Sequence, residues 1–412
     1  MNTTPRSALI SGASIAGPAL AFWLRKAGFA VTVVEKSATI RDGGYPIDVR
    51  GTALDAARRM GILPRLRDLH ISTRRLVFLD TDGSEVASLE PNAIIGGVDG
   101  EDVEIRRGDL TQTLYDLVRD DADFRFGDSV ETLTQHADGV DVTFHSGRQE
   151  TFDLVFGADG LHSNTRRLIF GDEEQFHHYL GYSFAGFTMP NDFGLYREGL
   201  TWSTPGKGAA LYSVLESKEI HGFLVFARPN PPIEAFRNPE AQRDLVAETF
   251  AGEGWEIPRM VAAMREADDL FFDVVSQIHL PQWTDGRVAL VGDAGYAPSF
   301  LTGQGTSLAL VGAYMLGQAL ATIPDHAAAF AAYESRSRDF VERNQALVSE
   351  GKATLFPTTA EALEQRNAAL RKLTKVPAST PRPEHSALTL PDFPAAEALL
   401  QASPPDDCHR SG

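Results

Sequence analysis

The sequence predicts an α/β protein: a discontinuous, Rossmann-like domain with an inserted, mainly antiparallel β-sheet domain and C-terminal helices. Three observations predict it. A short apolar run, Ala8-Leu9-Ile10-Ser11, is followed by a glycine turn, a helical segment and a β-branched run, Ala30 to Val34, the pattern of a parallel βαβ unit. From Tyr182 to Phe226 the chain instead shows strand-like stretches rich in Phe and Tyr, with no helix between them. Val288-Ala289-Leu290-Val291 then returns to the unbroken apolar run of a strand buried on both faces.

The elements follow in order. Pro18 suits the first turn of a helix that continues through Ala27 to a stop at Gly28. The second strand ends at Glu35, Arg41 to Gly51 reads as a glycine-containing loop, and Ala53 to Leu66 reads as one helix. Val140–Phe144 and Gln149–Phe152 flank His145-Ser146-Gly147 as a hairpin, which leads into a buried strand at Leu154–Gly157. Helices are expected over Thr306–Ile323 and His326–Ala353, and near Glu361–Leu373; a proline-rich tail begins beyond Lys375. Residues 1–75, 104–175 and 281–325 are thereby assigned to the Rossmann-like domain and 76–103 and 176–280 to the sheet domain. Residues 326–375 form the C-terminal helices and 376–412 the tail, which either wraps the surface or moves freely.

With 38 Lys and Arg against 56 Asp and Glu, the chain of 412 residues carries a net charge of −18. A phosphate backbone is repelled by that charge, so nucleic acid is excluded as a partner. The single cysteine, Cys408, permits no intrachain disulfide and no cysteine-built metal site, and fits a reducing cytoplasm. His177 and His178 are adjacent and would point apart on a strand, so no metal is expected. Ser7–Trp23 and Ala294–Pro324 are uncharged, but glycines and polar residues interrupt both, so no membrane span is expected. Monomer and dimer remain equally open.

The turn after the first strand reads Gly12-Ala13-Ser14-Ile15-Ala16-Gly17, a dinucleotide fingerprint with serine at its middle glycine. Gly12 permits the tight turn, Gly17 close helix packing, and the small Ser14 the approach of a pyrophosphate to the helix N-terminus. Glu35, followed by Lys36, is placed to accept hydrogen bonds from a ribose diol, which disfavours a 2′-phosphate in the tightly held nucleotide.

Two further segments narrow the cofactor: DLVFGADGLHSNTR at Asp153 to Arg166, and RVALVGDAGYAPSFLTGQG at Arg287 to Gly305. Together with the fingerprint, in this order, they resemble the FAD-dependent aromatic hydroxylases, the single-component monooxygenases typified by p-hydroxybenzoate hydroxylase. The resemblance is nearest to the shorter members that modify antibiotics and polyketides, including those that inactivate tetracyclines. It implies that Gly12, Ser14, Ile15, Ala16, Gly17, Glu35 and Lys36 hold the adenosine side of FAD, with Arg107 reaching the cofactor. It also implies that Asp159-Gly160 assists FAD and NAD(P)H handling, that Asp293 contacts the ribityl chain, and that Gly303 and Gly305 lie beside the flavin ring. The segment GGYPIDVRG, Gly43 to Gly51, would place Asp48 and Arg50 near the ring.

The activity implied is an NAD(P)H- and O2-dependent hydroxylation of a small aromatic or polycyclic compound through a flavin C4a-hydroperoxide. FAD would stay bound and NADPH or NADH would visit. The alternatives are an oxidase or reductase of the same fold that transfers no oxygen, and a binding protein that keeps FAD as structure. No catalytic residue is assigned, and Arg50, Tyr212, His221 and Phe300 are the candidates; Tyr212 and His221 read first as structural residues, and no general base stands out. Arg58-Arg59 and Arg166-Arg167 read as solvated helix faces, with Arg166 the one that could approach the cofactor. Three departures from the family pattern are evident: Tyr296 where it has histidine, Phe300 where it has a proline against the flavin, and Ser307 where it has asparagine.

Overall fold

A computed structural model describes residues 5–40, 44–95, 100–213, 218–236, 238–373 and 381–394. Cys408, Gly43 and most of the tail lie outside the described residues. The first sheet is six-stranded, in the order Thr284–Asp285, Val288–Leu290, Leu154–Gly157, Ser7–Ser11, Ala30–Glu35, Asp123–Phe126. All its neighbours run parallel except the first pair. Ala8, Leu9, Ile10, Leu154, Val155 and Phe156 are fully buried, which is why these strands read as unbroken apolar runs.

The helix Ala16–Lys26 crosses between the first two parallel strands. A Cβ on Gly17 would stand 1.9 Å from the Gly12 carbonyl oxygen, so only glycine lets the helix start this close to the turn. Behind the sheet lies the helix Gly305–Thr322, in which every residue from Thr306 to Leu320 is buried. Its uncharged length marks a central helix of the core. Among the described residues no helix is long and apolar enough to cross a membrane.

The second sheet has seven strands, ordered Phe271–Ile278, His177–Pro190, Glu219–Ala227, Lys207–Tyr212, Glu198–Thr204, Arg75–Leu79, Glu85–Leu89. It is antiparallel apart from the Glu198–Thr204 and Arg75–Leu79 pair. One face packs Ala185, Phe187, Leu211 and Leu224 against helices Pro239–Thr249 and Ile257–Glu266. Strand alternation sends Gly186, Thr188, Tyr212, His221 and Phe223 to the opposite face. A three-stranded sheet, Gln149–Phe152, Val140–Phe144, Val130–Gln135, contains the expected hairpin.

Three expectations are corrected. The presumed loop at 41–51 contains a strand, Pro46–Val49, paired antiparallel with Val103–Arg106; Ile47, Val49, Val103 and Ile105 face the core and give it a reason to extend. The single helix at 53–66 is two, Thr52–Met60 and Leu63–Asp68, because Gly61 takes a left-handed φ of 79° and Pro64 opens the second. The helix at 326–353 divides into His326–Ala346 and Val348–Leu355.

The described part of the tail wraps the surface. Leu390 is buried in the main core, and the Phe393 ring lies 5.0 Å from Trp23. Arg59 donates to the carbonyls of Leu390 and Pro391 at 3.2 and 2.6 Å.

Candidate active site

The fingerprint turn is built by its neighbours. Gly12, at φ 107°, donates its N–H to the Val34 carbonyl at 2.8 Å, and a Cβ there would reach 2.5 Å from the Ala158 carbonyl oxygen. Glu35 Oε2 accepts from the Ala13 N–H and Oε1 from the Ser37 N–H, both at 2.9 Å. The carboxylate therefore sits at the open edge of the turn, and Lys36 is exposed beside it. Ser14, at the turn's middle, accepts from Arg107 Nη2 at 2.8 Å. Ile15 and Ala16 are buried at the base of the helix.

Arg107, Tyr45, Asp293 and Gly44 converge further along. Arg107 donates its backbone N–H to the Tyr45 carbonyl at 3.2 Å, and a Cβ on Gly44 would stand 3.3 Å from the Arg107 Cβ. Asp293 has open surface but is ringed by protein; this burial pushes its carboxyl above the usual range, opposed by the Arg107 charge. The sites where Cβ atoms on Gly305 and Gly303 would lie are 3.8 Å from Asp293 Oδ1 and 3.6 Å from Asp48 Oδ2. The start of the buried helix Gly305–Thr322 thus faces an open, acid-edged hollow.

Arg50 is buried. Its guanidinium meets Asp48 at 2.6 Å and Asp102 at 3.3 Å, and its backbone N–H donates to Ser307 Oγ at 3.2 Å. Burial pulls its pKa down, but Asp48, Asp102 and Glu104 together hold it above the usual value. Ser307 thus anchors the Pro46–Val49 strand to the buried helix.

Across the hollow, the seven-stranded sheet faces the Pro46–Val49 and Val103–Arg106 ladder through three pairs. The Tyr45 and Phe223 rings meet edge to face at 6.0 Å. Tyr212 Oη donates to Glu104 Oε1 at 2.5 Å, with Thr73 Oγ beside both. His221 lies close enough to Arg106 to feel its charge; burial, partly opposed by Asp269 and reinforced by Arg106, lowers the pKa of the imidazole. At the rim, Phe300 is 41 % exposed, 5.0 Å from Phe184 and 6.2 Å from Phe356, and Phe271 lies 5.7 Å from Phe184.

Asp159 is engaged within the protein: its oxygens accept from Ser163 Oγ, Thr165 Oγ and the Thr165 N–H, capping the helix Asn164–Phe170. Gly160, at φ 82°, leaves open space at that strand end. Next to it, His162 is clamped by Asp273 at 3.0 Å and Glu173 at 2.8 Å; these hydrogen bonds push its pKa up to about 10. Arg166 is not a solvated residue: it is fully buried, donating to the carbonyls of Ala294 and Leu161 and to Glu173. Arg59 likewise binds the tail, while Arg58 and Arg167 are exposed as expected. His177 stacks toward His162 and His178 meets His279, so the two point apart. Tyr296, where the resemblance implies a histidine, is buried with its hydroxyl 2.9 Å from that of Tyr333.

Sequence reading missed Glu104, Tyr45, Thr73, Phe223 and His162 as site residues. The Glu-x-Arg-Arg spacing before Asp109 was the one available signal, since alternation puts Glu104 and Arg106 on one strand face.

The donor set fits FAD. Paired glycines leave room for backbone at the turn, Glu35 is half-buried with one backbone N–H on each oxygen and so keeps lone pairs for a diol, and an exposed carboxylate, Asp293, is ringed by protein beside a helix N-terminus.

Comparison with known proteins agrees. Residues 6–348 match the family described as FAD binding domain. A flavin-dependent monooxygenase from an unknown prokaryotic organism is 41% identical over 363 residues, covering 87% of this chain and 93% of that protein. The crystal structure of tetracycline destructase Tet(55) superposes with a TM-score of 0.81 at 38% identity, over 94% of this chain and 99% of that one. Tet(51) superposes with a TM-score of 0.81 at 33% identity, over 95% of this chain and 100% of that one.

Proposed function

Because the chain belongs to the FAD binding domain family and is a flavin-dependent monooxygenase, we propose that its substrate is a polycyclic phenol of the tetracycline kind, with NADPH or NADH as reductant. The observation that carries the substrate reading is the hollow itself: aromatic rings on two sides, Tyr45 and Phe223 within, Phe184, Phe271 and Phe300 at the rim. Flat aromatic walls select a planar ring system. The names of the related tetracycline destructases support the same class.

FAD, when bound, supplies the activation of O2 and the oxygen transfer. The protein's part is to hold and orient. The Gly12–Gly17 turn and helix N-terminus are suited to the pyrophosphate. Glu35 is suited to the adenosine ribose, and Ser14 with Arg107 to the phosphate edge. Asp293 is suited to the ribityl hydroxyls, with Asp48 and the Gly303–Gly305 turn beside the ring. The N-terminus of the buried helix favours negative charge developing on the ring. The apolar rim excludes water from the reacting centre. A cytoplasmic setting, supported by the single cysteine among 412 residues, would supply the nicotinamide nucleotide.

The test is NADPH-driven O2 uptake by FAD-loaded protein with tetracycline and a panel of polycyclic phenols, followed by product mass under 18O2. Gain of one 18O atom is expected. A two-hydrogen change without 18O would assign an oxidase or reductase instead.

A further inference from the structure

One group of polar residues has no task in holding the cofactor: Glu104, Tyr212 and Thr73, which join the two walls of the hollow. Glu104 stands directly opposite Asp48 in the two-stranded ladder, so two carboxylates share one face. Its Oε1 accepts from Tyr212 Oη, and its Oε2 accepts from Thr73 Oγ at 2.5 Å and the Thr73 N–H at 3.3 Å. All three partners donate, so Glu104 is a carboxylate whose proton-accepting capacity is directed at a phenol. Tyr212 comes from the sheet face that also carries His221 and Phe223.

We propose that Tyr212 is a catalytic residue that takes the proton of a phenolic or enolic substrate hydroxyl, and that Glu104 is the positioning residue behind it that receives Tyr212's own proton. This rests on the monooxygenase reading of the same site. The transfer balances: the substrate O–H bond breaks as a new O–H bond forms on Tyr212, whose original proton moves to Glu104 Oε1, and no electron changes hands. Net charge in the hollow is unchanged, so the substrate becomes an electron-rich oxyanion without adding a charge to a place that already holds three carboxylates.

The surroundings favour this direction. Glu104 is faced by Asp48 from the paired strand, by Arg50 beyond it, by Asp102 from its own chain segment, and by Thr73 and Tyr212 from the other wall. His70 Nδ1 contacts its backbone, and Arg106, two residues on, is forked onto Asp109 while its charge disfavours protonation of His221. Burial first, then the Asp48 charge, raises the proton affinity of Glu104 above that of an ordinary carboxylate, and its hydrogen bonds only partly oppose this. Burial and the Glu104 charge also raise that of Tyr212, so it relays a proton and does not rest as tyrosinate.

Two measurements on FAD-loaded protein test the proposal. The first uses 4-nitrophenol, whose absorbance reports its ionisation, at a pH where it is neutral in solution. Wild type should show bound phenolate, and Glu104→Gln, which keeps an acceptor for Tyr212 but cannot take its proton, should not. A wild-type spectrum equal to that of the free phenol, or phenolate persisting in Glu104→Gln, would overturn the relay. The second is the pH profile of tetracycline oxidation. Tyr212→Phe and Glu104→Gln should each lower kcat by about 100-fold or more with a smaller change in KM. The acid limb of the wild-type profile should disappear in both, and Glu104→Asp should restore part of it. An unchanged limb in folded, FAD-containing variants would overturn the proposal. Absence of 18O in the wild-type product would refute oxygen transfer instead, and the nitrophenol spectra would then decide the relay on their own.

Discussion

Arg107 Nη2 reaches across 93 positions of sequence to donate to Ser14 Oγ at 2.8 Å, tying the first turn of one helix to the glycine turn before another. Arg107 also sets the charge felt by Asp293 and Tyr45. A guanidinium in that position would meet both the phosphate edge and the carboxylate-lined end of the cofactor. Arg107→Ala should therefore weaken FAD binding. Loss of a hydrogen bond to a charged group is worth about 1.5–3 kcal/mol, or about 10- to 150-fold in Kd. Titration of the apoprotein by flavin fluorescence measures it, and an unchanged Kd would remove Arg107 from the cofactor site.

Gly17→Ala should be more severe. The new methyl would lie 1.9 Å from the Gly12 carbonyl oxygen, which is backbone and cannot swing aside. The helix must then withdraw from the turn that aims its N–H groups. Purified protein should lack flavin absorbance and melt at lower temperature; yellow protein of wild-type Tm would contradict the proposed packing.

His162 makes a pH-dependent contribution to stability. Its pKa, 6.5 when unfolded, is raised to about 10 by hydrogen bonds to Asp273 and Glu173. The stabilisation is fully present below pH 6.5 and is lost as pH rises through about 10. The side chain is 49% exposed, so solvent screens the pair and the effect on Tm is modest. Comparing Tm against pH, wild type should decline toward His162→Gln between neutral pH and 10; parallel curves would show that no proton is held there.

How far the sequence is readable follows from where each residue's partner lies. The Ala8–Ser11 strand, its turn and the helix from Ala16 depend on local geometry and local apolarity, and both are written in consecutive residues. The Pro46–Val49 strand is not, because among the described residues its partner is Val103–Arg106, far along the chain, and Pro46 and Asp48 share its outward face. Glu104 looked like any surface carboxylate, since Tyr212 is 108 positions away. Arg59 and Arg166 misled for a different reason: both bind backbone carbonyls supplied by distant segments, and a carbonyl leaves no trace in the amino-acid code.

Phe300, at the position where the family resemblance implies a proline, joins Phe184 and Phe356 at the rim of the hollow. Because it is 41 % exposed, Phe300→Ala should change stability by no more than about 1 kcal/mol. An aromatic contact with a planar substrate is worth about 0.5–1.5 kcal/mol, so KM for tetracycline should rise about 2- to 12-fold. Steady-state kinetics separate the cases, and an unchanged KM would mean that the ring faces only the protein.

The described tail, residues 381–394, straps the helices Thr52–Met60 and Gly305–Thr322: Thr52 Oγ donates to the Leu388 carbonyl at 2.7 Å, and Gln318 Nε2 to that of Asp392 at 3.1 Å. His385 is buried against Gly51, where a Cβ would come within 2.1 Å of its carbonyl oxygen, and burial with the nearby Arg50 lowers its pKa to about 4. The strap therefore touches the segment that carries Asp48 and Arg50. Leu390→Ala should cost about 2 kcal/mol or more, as for a buried leucine in a packed core. If the strap also fixes the segment carrying Asp48 and Arg50, deleting residues 381–412 should weaken FAD binding as well as lower Tm. A fall in Tm with unchanged FAD affinity would make the strap a stabilising cover that leaves the site untouched.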